Sequence, residues 1–153
     1  MKIIDLKFEP HHIPVLADWH HREWSYLNPN ETVEQRIADM QSYLTDRLVP
    51  STFIAKEEEL LGSAAVIEHD LDTRPELSPW LASVFVAPEH RGKGAGSKLV
   101  IHVMEKAREA GISALYLFTP DKEHFYQKLG WQTISKETYQ GHLITVMKVN
   151  LTG

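Results

Sequence analysis

The chain has 153 residues, enough for one domain around a single core and taken here as one domain over 1–153. Hydrophobic residues make up 42% and charged residues 24%, as in ordinary soluble globular proteins, and the formal net charge of −5 argues against nucleic acid as the main partner. Cysteine is absent, which removes disulfides, thiolate metal sites and acyl-cysteine chemistry.

Residues 2–8 alternate apolar and polar side chains like a strand, without the continuous apolar run of a signal peptide. No stretch approaches the length of a membrane-spanning helix, so a cytoplasmic protein with no membrane partner is expected. Pro10 suits the first position of a helix, and Ile13, Leu16, Ala17, His20 and Trp24 recur at helical spacing. Asn28-Pro29-Asn30 breaks that helix. Thr32 and Gln35 then form a capping box for a second one, whose apolar face runs from Val33 to Leu48 before Pro50 ends it. Strands follow over 52–56 and 60–69, joined by the acidic turn Glu57-Glu58-Glu59, and a third covers 77–86.

The segment from Val84 to Leu99 carries the most information. A β-branched strand runs into Arg91-Gly92-Lys93-Gly94-Ala95-Gly96-Ser97 and then into an amphipathic helix that Gly111 stops. Three glycines in five residues let main-chain N–H groups converge without a Cβ in the way. The helix adds its own unpaired N–H groups and the positive end of its dipole. Together they make a cradle for phosphate oxygens, with Arg91 and Lys93 as positive charge at the rim. No register fits Gly-x-x-x-x-Gly-Lys-Ser/Thr, and Gly-x-Gly-x-x-Gly fails because its last position falls on Ser97 or Leu99.

A strand over 114–118 comes next. Thr119 and Pro120 are expected to open a short helix that ends at Gly130, and strands over 131–137 and 143–149 close the chain around Gln140-Gly141. The order is β-α-α-β-β-β-α-β-α-β-β.

The pattern Arg-x-x-Gly-x-Gly at 91–96, after Val-Phe-Val-x-Pro, resembles the acyl-CoA pyrophosphate loop of the GCN5-related N-acetyltransferase (GNAT) superfamily. The element order resembles the same family over nearly the whole chain. The resemblance implies an α/β fold with a mixed central sheet of about seven strands and four helices, splayed between strands 4 and 5. It implies acetyl-CoA as co-substrate, with its pyrophosphate on the amides of residues 91–97 and its pantetheine arm along the backbone of Val84, Phe85 and Val86. A backbone N–H of this strand is expected to stabilise the oxyanion.

His124-Phe125-Tyr126-Gln127-Lys128-Leu129-Gly130-Trp131 is similar to the family segment whose tyrosine protonates the departing thiolate, a role that falls on Tyr126. A phenol suits it because its reference pKa, roughly 10, lies near that of an alkyl thiol. Many members carry Asn where this chain has Thr119 and Ala where it has Lys122. Thr119 still offers a hydroxyl to the cofactor site.

A general base must take the proton of the attacking ammonium. Glu68, His69 and Asp70 end the third strand and Glu76 leads into the fourth. Glu68 is the first candidate because it is an acid ending an otherwise apolar strand. Trp24, Tyr26 and Trp80 are candidates to shape the acceptor pocket, and Trp80 is equally a candidate to fill the core. The adjacent pairs His11-His12 and His20-His21 point in different directions on a helix, and His-Glu-x-x-His is absent, so no metal is assigned.

The expected function is acetyl transfer from acetyl-CoA to a primary amine, direct and in a ternary complex, with a small-molecule or peptide acceptor. The alternative is a non-catalytic acyl-CoA-binding sensor of the same fold, and an interaction domain without ligand stands third. A homodimer is one assembly open to the chain, since two-fold pairs are the commonest.

Overall fold

The computed structural model describes residues 1–152. It contains strands β1 (Lys2–Asp5), β2 (Ser51–Lys56), β3 (Leu60–Ile67), β4 (Trp80–Val86), β5 (Ala114–Thr119), β6 (Gln132–Tyr139) and β7 (His142–Asn150). Its helices are α1 (Ile13–Trp24), α2 (Val33–Ser42), α3 (Ala95–Glu109) and α4 (Glu123–Gln127). The seven strands form one sheet in the order β1-β2-β3-β4-β5-β7-β6. Every pairing is antiparallel except β4 with β5.

Successive strand residues point to opposite faces, and both faces are covered. Phe53 packs with Leu99, Val100, Val103 and Ala107 of α3. Its neighbour Ile54 packs with Leu16 and Ala17 of α1 and Met40 of α2. Leu99, Val100 and Val103 are each 0% exposed, and burying a side chain of this size contributes about 1.5–3 kcal/mol. Among the described residues no helix is long and apolar enough to cross a membrane.

Element boundaries differ from the expectation where side chains capture backbone groups. β1 stops at Asp5, whose Oδ1 accepts the Lys7 N–H at 2.8 Å and turns the chain into a 3-10 segment. Pro10 opens a second 3-10 turn, and α1 proper starts at Ile13. Thr32 caps α2 through its hydroxyl, which accepts the Gln35 N–H at 3.1 Å. The capping box is only half formed, because the Gln35 side chain donates forward to Asp39 at 2.9 Å. α2 ends at Ser42, six residues before Leu48, which reaches the core from an irregular segment. β4 starts at Trp80 instead of residue 77, since Pro79 has no N–H for a ladder and the Leu77 carbonyl accepts from Trp80 Nε1 at 2.7 Å. The last helix begins at Glu123. Thr119 still accepts the Lys122 N–H at 3.0 Å, holding the turn ahead of it.

Two irregularities position the site. β4 and β5 pair only at Trp80 and Tyr116, then part. On its other edge β4 carries a bulge. Ser63 faces Phe85 and Ala65 faces Ala82, so Ser83 and Val84 together oppose Ala64. Ser83 has φ of +53°, unusual for a residue with a side chain.

Candidate active site

A cavity of about 980 Å³ occupies the gap between the parted strands. The backbone segment 81–86 forms one wall and residues 117–119 the other. One end opens on the glycine turn ahead of α3, and the other lies under α1, α2 and the chain after β3.

The glycine end is built from main chain. Gly92 and Gly94 have φ of +82° and +83°. Gly94 sits at the N-cap of α3 without a side-chain partner for the helix. The first intrahelical bond there runs from the Lys98 N–H to the Gly94 carbonyl at 3.1 Å. The amides of Ala95, Gly96 and Ser97 are therefore left to face an anion. Gly96 lies against Phe125 and Val86, and a Cβ there would meet each at 3.5 Å. Arg91 turns back on the strand: its Nε donates to the Val86 carbonyl at 2.9 Å, and its guanidinium lies 5.5 Å from the Phe85 ring centroid. Lys93 is exposed and does not line the cavity.

Tyr126 lines the middle of the cavity from α4 and is 7% exposed. Its ring meets those of Phe125 and Trp131 edge-on, at 5.0 Å and 6.1 Å between centroids. Burial, helped by the Asp121 carboxylate, pushes its phenol well above the ordinary range, so the hydroxyl keeps its proton. Thr119 lies on the same wall.

The far end is built from side chains. Trp24 lines it, with Glu31, Arg36, Asp39, Asp70 and Tyr139 among its neighbours. The Tyr139 hydroxyl donates to Asn28 Oδ1 at 3.0 Å, tying β6 to the loop after α1. Arg36 Nε donates to His21 Nδ1 at 3.3 Å, and its terminal nitrogen lies 3.7 Å from Glu31. That nitrogen is buried with no hydrogen-bond partner among the described residues. Burial, then repulsion from Glu31, raises the Asp70 carboxyl to about 7. Burial likewise raises the Tyr43 phenol to about 12.

Besides Lys93, three expected residues lie outside the cavity lining. Glu68 is exposed, because β3 ends at Ile67 and the chain beyond it turns Glu68 to solvent, whereas His69 and Asp70 line the cavity. Trp80 is 0% exposed and fills the core between Tyr116 and Phe118. Tyr26 is 45% exposed and stacks edge-on against His142. Among the described histidines and acids, Glu9, His11 and His12 come together. The Glu9 carboxylate there already accepts from Lys56 at 2.7 Å and pairs with His12 at 2.9 Å. Arg36 of α2, Glu31 and Tyr43 at its two ends, and Tyr139 of β6 carried no signal in the sequence, since none belongs to a local motif.

Residues 13–131 match the acetyltransferase (GNAT) family. The chain belongs to that family. Its seven-stranded sheet, parted between β4 and β5, is the GNAT fold. Among curated relatives, the amino-acid acetyltransferase of Ralstonia nicotianae is 32% identical over 93 residues, which cover 52% of this chain and 21% of the relative. The chain thus matches about a fifth of the length of that longer protein. Two solved structures share the fold. Ribosomal-protein-alanine N-acetyltransferase from Brucella melitensis has a TM-score of 0.76 at 18% identity, covering 98% of this chain and 99% of that one. Aminoglycoside 6'-N-acetyltransferase complexed with coenzyme A has a TM-score of 0.74 at 16% identity, covering 100% and 98%.

Proposed function

We propose that this GNAT protein transfers an acetyl group from acetyl-CoA to a primary amine, directly and within a ternary complex. The observation that carries the reading is one continuous cavity joining three kinds of surface: the amides ahead of α3, the parted edge of β4 beside Tyr126, and an acidic far end. The α3 amides bind the pyrophosphate. The β4 edge pairs with the pantetheine arm as a further strand would, and a bulge N–H receives the negative charge that grows on the thioester oxygen. The acceptor ammonium gives one proton to solvent before the amine attacks. The C–N bond forms and the C–S bond breaks. Tyr126, kept protonated by burial, gives its proton to the departing thiolate, and the proton that the new amide nitrogen sheds restores the phenol.

The acceptor enters from the far end. Glu31, Asp39, Asp70 and Asp72 stand there against one arginine, Arg36. That balance favours an acceptor carrying positive charge in addition to the amine that reacts. Asp70, with its carboxyl at about 7, is placed to bind a cation near neutral pH. Amino acids, peptide N-termini and larger polyamines all carry an amine of the required kind.

The test follows thiol release from acetyl-CoA over a panel of neutral, zwitterionic and polycationic amines. Thiol release that tracks acetylated product, highest for the cationic members, is expected. Acetyl-CoA binding without release for any amine would overturn the assignment.

A further inference from the structure

His20 and Ser63 are buried polar side chains that the proposed chemistry does not use, at 4% and 0% exposure. His20 Nε2 lies 2.9 Å from Ser63 Oγ, and Ser63 Oγ donates to the Ser83 carbonyl at 3.1 Å. A carbonyl oxygen only accepts, and a hydroxyl has a single proton. Ser63 commits that proton to Ser83, so His20 must be the donor in the other contact, with its hydrogen on Nε2. Burial, and then the charge of Arg36, pushes the imidazole down to about 3, which keeps the ring neutral. The ring is held between Trp24 and Phe85, at 5.4 Å and 6.0 Å between centroids.

The end of this chain is the strained point of β4. Ser83 is the bulge residue with φ of +53°. For a residue with a side chain, that backbone is unfavourable and persists only where its surroundings enforce it. Gly62, next to Ser63, leaves room on the same edge: a Cβ there would lie 2.2 Å from the Phe85 carbonyl oxygen.

We propose that His20 and Ser63 are positioning residues, which through the hydrogen-bond chain His20–Ser63–Ser83 lock the β4 bulge so that its N–H groups point at the thioester. The proposal rests on the acetyl-transfer reading above. The geometry does not fit a serine nucleophile with a histidine base. Ser63 is fully buried outside the cavity lining, and its proton is held by a carbonyl. His20 lines the cavity as a donor that stays neutral.

Three variants test the chain. Ser63→Ala removes the middle link at nearly constant volume, His20→Met removes the first donor, and His20→Gln replaces it with an amide nitrogen at similar reach. Two readouts are taken: the backbone couplings and carbon shifts of Ser83 by NMR, which report its positive φ, and steady-state acetylation. In Ser63→Ala and His20→Met, Ser83 should leave the left-handed region. kcat should fall about 10- to 100-fold while the KM for acetyl-CoA stays within about twofold. His20→Gln should restore both. A Ser83 that keeps its positive φ without the Ser63 hydroxyl overturns the lock, whatever the rates. A shifted Ser83 with unchanged kcat overturns its role in catalysis, as does a parallel loss in kcat and cofactor KM. Failure of the wild-type protein to acetylate any amine is a different result: it overturns the acetyl-transfer reading, and the NMR readout still judges the lock.

Discussion

The two ends of the cavity are made of different material. At the glycine end the ligand-facing groups are main-chain amides, set by Gly92, Gly94 and the start of α3 within a few consecutive residues. At the far end they are side chains from α1, α2, the chain after β3, and β6, brought together only by packing. Backbone amides carry no side-chain identity and suit a part of the ligand that is the same in every reaction. Side chains can be exchanged one at a time, so under the proposed acetyl-transfer reading the far end is where one acceptor would be told from another.

The largest effect that separates the two ends should come from Gly94→Glu. The position has open space, but its φ of +83° disfavours any side chain, and the new carboxylate would face the phosphates that the proposed reading places on the α3 amides. Like-charge contact of this kind costs several kcal/mol, so calorimetry should show acetyl-CoA affinity reduced about 100-fold or more. Retained affinity would break the assignment of the glycine end. Tyr126→Phe, in the middle, should lower kcat about 100-fold and leave the acetyl-CoA Kd nearly unchanged. An unchanged kcat would remove Tyr126 from the chemistry.

Asp70→Asn should act on the far end alone. The KM of a cationic acceptor should rise about tenfold, with acetyl-CoA affinity untouched. The wild-type carboxyl titrates at about 7, above its ordinary 3.8. It is neutral at lower pH, so cationic acceptors should bind more weakly as pH falls through 7, and Asp70→Asn should flatten that dependence. Glu31 and the Tyr43 and Tyr139 phenols share this region. A carboxyl raised on folding also contributes stability that is complete below its unfolded value and lost as pH rises through 7. Thermal melts of Asp70→Asn should lack that decline. A KM slope that persists in Asp70→Asn would move acceptor recognition to another group. The smallest effect belongs to Glu68→Gln. Glu68 is exposed and outside the lining, so kcat should stay within about twofold; a large loss would require the chain after β3 to turn inward during turnover.

Legibility in the sequence follows the same division. The fold and the glycine end were readable because each signal is local: helical spacing in α1 and α3, alternation in the strands, and glycines where the chain must turn. The boundaries that moved did so through single hydrogen bonds, such as Asp5 ending β1 and Thr119 holding the turn before α4. Trp80 and Glu68 were placed by residue type and strand position. Burial then decided otherwise, sending one into the core and the other to solvent. The His20–Ser63 contact joins residues 43 positions apart, and no pattern in either segment announces it.

Sequence alone determined the order of elements, the amide cradle before α3 and the tyrosine on the short last helix, because these depend on neighbours a few residues away. Tertiary structure alone decided the bulge at Ser83 and the acidic far end. Those depend on which distant side chains share a buried space, and on the charge and hydrogen bonds they must settle among themselves once water is gone.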